Sequence, residues 1–306
     1  YNHESSAALV DIKGNLIDFY KEESLSRVKG DKSFPKRSLK RIIDINKLDI
    51  NKIIDVTFYE RPLSAFITIL QTSGKNMPKS LPLISHQCRN FNKSSVACFL
   101  DIAKIYPGLE KKLSYCDHHL SHTLTSLAYS PKQNEICSVV VDGFGDRSTT
   151  SISLVNNHHN IVELWSCPYP FSIGLFYSAI TDFLGFQVNE GEYKVMGLSS
   201  FGNENSEIAK KVSKLISWDD NKKKIIQDMS FFNYHVDPEI SFSQKLVNYL
   251  GNPRNPFKQL LPDDDDFQHY ADIAKGAQLA VVKILRSIFS YAYQLTKCND
   301  FLFSGG

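Results

Sequence analysis

The chain of 306 residues is 42% hydrophobic, 12% aromatic and 22% charged, enough for two ordinary domains or one large α/β domain, and too apolar for general disorder. Its 35 Lys and Arg face 33 Asp and Glu, a formal charge of +2 that argues against a nucleic-acid partner. No apolar run nears the roughly 18 residues that a membrane helix needs, so no membrane partner is expected.

The first residues, Tyr1-Asn2-His3-Glu4, carry neither an initiator Met nor a signal-peptide pattern, and suggest a chain that begins part-way along. Ser5 to Tyr20 reads as a hairpin about the turn Lys13-Gly14-Asn15. Pro35 opens a helix over Lys36 to Ile45. Lys52 to Gln71 mixes a strand with a helix, Asn92 to Ile105 is helical, and Lys112 to Cys116 is a short strand. The next helix begins after Asp117. On a 100° wheel Leu120, Leu124, Leu127 and Ala128 fall within roughly 80° and predict its core face, which leaves His118 and His122 together on the opposite side.

Ile136 to Val141 is an apolar run suited to a central buried strand, and it ends in Asp142-Gly143-Phe144-Gly145-Asp146. Thr149 to Val155 and Ile161 to Trp165 continue as strands, and Phe176 to Leu184 is a helix. Residues 203 to 266 are polar, with charge runs at Lys222 to Lys224 and Asp263 to Asp266 that read as solvated surface. A long helix over Tyr270 to Leu295 has Ile273, Ala277, Ala280, Ile284 and Ile288 on one stripe. The strand Phe301 to Phe303 then runs into Ser304-Gly305-Gly306. Six cysteines (Cys88, Cys98, Cys116, Cys137, Cys167 and Cys298) form no C-x-x-C pair and predict reduced, mostly buried thiols and a cytoplasmic address.

His118 and His122, spaced i, i+4, present two imidazoles on one helix face, as a divalent metal requires, although surface histidines also occur at that spacing. Asp142 adds a carboxylate at the carboxyl end of a strand, where α/β sites concentrate, and His119 is better suited to packing than to ligation. The turn at Gly143 and Gly145 is neither a Walker loop nor a dinucleotide fingerprint. It is either a plain hairpin turn or, with Gly305 and Gly306, one of two glycine turns that hold a nucleotide. The strand and turn order at the start of the chain echoes the order around Asp142, which suggests two similar lobes. No G-x-S-x-G elbow or nucleophilic Cys motif is present.

These residues resemble the ATP-dependent O-carbamoyltransferases of the nodulation and antibiotic-tailoring type. The resemblance runs through His3-Glu4-Ser5-Ser6-Ala7-Ala8-Leu9, through Glu22 to Lys29, through Asp117-His118-His119-Leu120-Ser121-His122 and through Val141 to Asp146. Its most specific part is the string Pro170 to Ser178, Leu184-Gly185-Phe186 and Glu192-Tyr193-Lys194-Val195-Met196-Gly197-Leu198. Departures from the family pattern are Glu4 for Asp, Leu25 for an aromatic or Arg, and Asp146 for Glu.

The resemblance implies a two-lobed, actin-like (ribonuclease-H-like) α/β fold. Residues 1–130 would form the first lobe and 131–306 the second, with an insertion around 203–266 and the whole apparently truncated at both ends. It implies that His118, His122 and Asp142 bind a divalent metal of iron or zinc type, with a further aspartate expected after Gly306. Gly143, Gly145, Lys194, Gly305 and Gly306 would bind ATP as nucleotide, with Mg2+ as a further candidate ion. His3 would stand near the acceptor hydroxyl as a base. A smaller domain would make carbamoyl-adenylate from carbamoyl phosphate and ATP, for transfer to a hydroxyl of a small-molecule or sugar acceptor, and a chain lacking that domain is expected to be inactive alone. Threonylcarbamoyl transfer to tRNA, a non-catalytic nucleotide-binding partner protein and a metallohydrolase are the alternatives. A homodimer is compatible with the sequence.

Overall fold

The computed structural model describes residues 4–91, 97–130, 135–156 and 160–306. The chain divides into two compact units, the first containing residues 1–66 and 85–116 and the second 67–84 and 117–306.

In the first unit, β1 (Ser6–Val10) and β2 (Leu16–Lys21) pair antiparallel, as the sequence predicts. Asp11 closes their turn, its carboxylate accepting the N–H groups of Lys13 and Asn15. Helix α1 (Glu22–Ser26) follows, then α2 (Lys36–Ile45). Pro35 offers no side-chain cap, and the buried Glu22 carboxylate takes that role by accepting the N–H groups of Arg37 and Ser38 and the Ser38 hydroxyl. β3 (Val56–Phe58) lies parallel to β4 (Leu113–Tyr115). α5 (Cys98–Ile105) gives Cys98 and Ile102 to a small core with Leu109, Val56 and Phe58. The helix expected from Asn92 is observed from Cys98, since residues 92–96 lie outside the described set. Helices α3 (Pro62–Lys75) and α4 (Leu81–Arg89) contain the division between units.

The second unit is built on a four-stranded sheet in the order β10-β5-β6-β7. β5 (Ile136–Gly145), β6 (Ser148–Val155) and β7 (Ile161–Pro168) form an antiparallel meander, and β10 (Phe301–Ser304) returns parallel to β5. β5 is thus central, and Ile136 to Val140 are each 0 or 1% exposed, as a strand covered on both faces should be. α6 (His118–Ala128) precedes the sheet, and α7 (Ile173–Phe183) and α8 (Glu192–Leu198) follow the meander. α7 buries Ile173, Phe176, Ile180 and Phe183, one helical face, in the main core. α11 (Phe267–Thr296) buries the whole predicted stripe from Ile273 to Ile288. Between them lie α9 (Glu207–Val212), the hairpin β8 (Ile216–Asp219) and β9 (Lys224–Gln227), and α10 (Gln244–Leu250). Although residues 203–266 are polar as a whole, Val212, Ile216, Ile225, Phe232 and Leu246 from this stretch join the main core.

The face that α6 buries differs from the one expected. His119 and Thr123 are its buried residues, while Leu124 is 44% exposed. The cause lies in the sheet: β5 and β6 present hydroxyls here, and these satisfy polar helix side chains. Thr123 Oγ1 meets Ser138 Oγ at 2.8 Å and His119 Nδ1 meets Ser151 Oγ at 2.8 Å. The helix is therefore turned by about one residue, roughly 100°, from the leucine-based expectation. Among the described residues no helix is long and apolar enough to cross a membrane.

Candidate metal centre

Two elements of the second unit deliver the site. α6 starts at His118 because Asp117 is a good N-cap: its carboxylate accepts the Leu120 N–H at 3.2 Å. With His119 and Thr123 fixed against the sheet, the neighbouring face carries His118 and His122 side by side. Asp142 stands near the carboxyl end of β5, where the pairing with β6 shifts register between Val141 and Gly145.

His118 Nε2 lies 2.6 Å from Asp142 Oδ2, His122 Nε2 lies 3.4 Å from the same oxygen, and the two Nε2 atoms are 3.2 Å apart. Ligands at about 2.05 Å from a tetrahedral ion are roughly 3.3 Å from one another. Two of the three separations therefore suit an ion already, and the third would open by about 0.7 Å, exchanging a hydrogen bond for a ligand pair. The three side chains are 12%, 28% and 15% exposed, shielded yet open to solvent. Burial works to raise the Asp142 carboxyl, but the hydrogen bonds from His118 and His122 outweigh it, and the group sits well below the usual carboxylate range. Asp142 is thus ionised at neutral pH, as a metal ligand must be. Burial beside His118 lowers His119 to about 4, which keeps that ring neutral. Among the described residues, His118, His122 and Asp142 form the set of three His, Cys, Asp or Glu side chains that could hold an ion.

The glycine turns are neighbours. Gly305 follows β10 with φ +132, and a Cβ there would lie 1.7 Å from the Val141 carbonyl oxygen, so only glycine permits this approach of backbone to backbone. Parallel pairing of β10 with β5 therefore brings Gly305 against Val141, the residue before Asp142. Gly143 gives its N–H to Asp142 Oδ1 at 2.6 Å, and its carbonyl accepts the Ser172 hydroxyl at 2.8 Å. Gly306 is exposed, with open space about it. Gly145 is packed against imidazoles: a Cβ on it would lie 2.5 Å from His118 Cδ2 and 2.8 Å from His119 Cδ2. Lys194 lines a groove of about 1020 Å³ with Phe186 and Arg254, whose lining includes none of the other expected site residues. His3 lies outside the described residues.

Sequence reasoning missed the supports. Ser172 is the N-cap of α7, accepting the Leu175 N–H while it holds the Gly143 carbonyl, and its own N–H goes to Gln227. A Ser before an apolar helix is a readable cap signal, but nothing local shows that it also grips a distant turn. Asp146 caps the first residue of α6 across the fold, accepting the His118 N–H at 3.0 Å.

The family profile described as Carbamoyltransferase N-terminus matches residues 1–306. An uncharacterized protein of Synechocystis sp. is 27% identical over 326 residues, covering 100% of this chain and 49% of that protein. The nodulation protein NolNO of Sinorhizobium fredii is 27% identical over 206 residues, 66% of this chain and 28% of its own length. An uncharacterized protein of Methanocaldococcus jannaschii is 25% identical over 203 residues, 66% of this chain and 32% of its own length. The chain spans about half, or less, of the length of these relatives.

Proposed function

The chain belongs to the carbamoyltransferase family through that family's N-terminus, and from this premise we propose that the full-length protein is an ATP-dependent O-carbamoyltransferase. In this reading carbamoyl phosphate, ATP and water yield carbamoyl-adenylate with release of phosphate and pyrophosphate, and the carbamoyl group passes to a hydroxyl of a small-molecule or sugar acceptor. The observation that carries the proposal is the cluster of His118, His122 and Asp142 beside two adjoining glycine turns. The same arrangement favours an actin-like architecture: a three-stranded meander, a helical return and a parallel fourth strand place both turns on one sheet edge.

His118 and His122 through Nε2, and Asp142 through Oδ2, would hold a divalent ion of iron or zinc type. Such an ion supplies Lewis-acid stabilisation of charge on phosphate oxygens. The chain's own residues do the rest. Asp142 stays ionised, and its second oxygen is tied to the Gly143 N–H, which fixes the carboxylate plane. Gly306, exposed and with open space about it, is where a nucleotide phosphate would approach, since Gly305 is taken up by its contact with the Val141 carbonyl. In the transfer step the acceptor oxygen bonds to the carbamoyl carbon, the bond from that carbon to the adenylate oxygen breaks, and AMP leaves with the electron pair. His3 is the proposed base for the acceptor proton.

The test uses the full-length protein with ATP and labelled carbamoyl phosphate. AMP should appear only when both are present, and His118→Ala should abolish transfer to an added hydroxyl acceptor. AMP formation that needs threonine and bicarbonate would favour the tRNA reading, and wild-type transfer by His118→Ala would remove the metal role.

A further inference from the structure

His118 is held at two points by one hairpin. Its Nε2 meets Asp142 Oδ2 at 2.6 Å, and its backbone N–H donates to Asp146 Oδ2 at 3.0 Å. Both aspartates belong to the β5–β6 hairpin, whose two-residue turn is Asp146-Arg147. We propose that Asp146 is a positioning residue for the cation site, clamping the start of α6 to the hairpin so that His118 stands at the right distance from Asp142.

Three observations point the same way. Asp146 is only 2% exposed, so its carboxylate is committed to the interior and must be used there. Its φ is +55, the left-handed conformation that glycine would adopt more easily, so the position keeps a side chain against the backbone's preference. Its target is the first residue of α6, whose N–H has no partner within the helix and is aligned with the positive end of the helix dipole. Asp117 serves the Leu120 N–H, which leaves the His118 N–H for Asp146. His119 and Thr123 fix how α6 is rotated on the sheet, and Asp146 fixes where along its axis α6 begins. The axial setting decides the His118–Asp142 separation, because His118 is the residue being clamped.

The inference rests on the cation reading of the site, and its test separates the two. The full-length protein is stripped of metal and titrated with Zn2+ against a chromophoric chelator, with Co2+ absorption as a probe of ligand geometry. Asp146→Gly suits the left-handed backbone and removes the whole side chain, carboxylate included. It should weaken Zn2+ binding by about 10- to 100-fold and change the Co2+ bands. Asp146→Asn keeps an acceptor oxygen without the charge, so it should fall between wild type and the glycine variant, several-fold weaker than wild type. His118→Ala is the control. Wild-type affinity in His118→Ala overturns the cation reading itself, whereas loss there with unchanged affinity and Co2+ bands in Asp146→Gly overturns the clamp alone. Should the glycine variant fail to fold, Asp146→Asn carries the test, and affinity equal to wild type overturns the proposal.

Discussion

Replacing Gly145 with alanine tests whether this turn serves the imidazoles or a nucleotide. The backbone at Gly145 does not require positive φ, so the substitution adds only a methyl group. That methyl would lie 2.5 Å from His118 Cδ2 and 2.8 Å from His119 Cδ2. His119 is pinned by Ser151, so the His118 ring must retreat, by about 0.9 Å, to reach ordinary contact. Nε2 is bonded to that carbon and moves with it. Metal ligands tolerate displacements of about 0.2 Å, and the shift is several times larger. We expect Zn2+ affinity to fall on the order of a hundredfold, about 2.8 kcal/mol, and overpacking to cost about 1–3 kcal/mol of stability. Chelator competition measures the first and urea denaturation in EDTA the second. Unchanged Zn2+ affinity, together with weakened ATP binding in EDTA, would refute this reasoning and return Gly145 to the phosphate role.

The remaining predictions concern stability and reactivity. Asp228 accepts from Lys245 Nζ at 2.8 Å and from the Ser230 hydroxyl and N–H, and these contacts hold its carboxyl at about 2. The folded state therefore binds this proton less tightly than the unfolded state, so the stabilisation is complete above about pH 4 and is lost as pH falls through 2. Asp228→Asn should cost no more than about 1 kcal/mol at pH 7, because the pair is half-exposed, and its denaturation curve should converge on wild type near pH 2. Ser172→Ala removes the α7 cap and the donor to the Gly143 carbonyl, so urea denaturation should register a loss of roughly 2 kcal/mol, and wild-type stability would show that the cap is dispensable. Burial pushes the thiols of Cys98 to about 12 and of Cys137 and Cys167 to about 11, while Cys88 is exposed and Cys116 half-buried. An aromatic disulfide at pH 8 should modify Cys88 first and Cys116 more slowly, and reach the four buried thiols, Cys98, Cys137, Cys167 and Cys298, only in denaturant; rapid reaction at more than two thiols would contradict the packing.

Much of the second unit could be read from residue order because its signals are local. The apolar run before Asp142 declared a central strand, and the stripe from Ile273 to Ile288 declared a long core helix. The i, i+4 spacing put His118 and His122 together, and a strand-end acid was a natural third member. What failed to be legible depends on partners far away in the chain. The leucines of α6 predicted the wrong inner face because Ser138 and Ser151, which satisfy Thr123 and His119, lie on other elements. Gly145 read equally as a plain hairpin glycine or a phosphate glycine, since only the packed structure shows two imidazole rings against it. Asp146 and Ser172 each act on a residue nearly thirty positions away, and no periodicity reports such a bond.

The pairing of Phe301 with Cys137 has a consequence for biogenesis. Gly305 reaches Val141 only once nearly the whole of this segment has left the ribosome, and loop closure over such a span is slow. A nascent chain can assemble the imidazole helix and its acidic partner early, but the second glycine turn arrives last. Any stalled or clipped product lacking β10 would thus expose one flank of β5 and hold a half-built pocket, a species that quality-control proteases and chaperones are suited to remove.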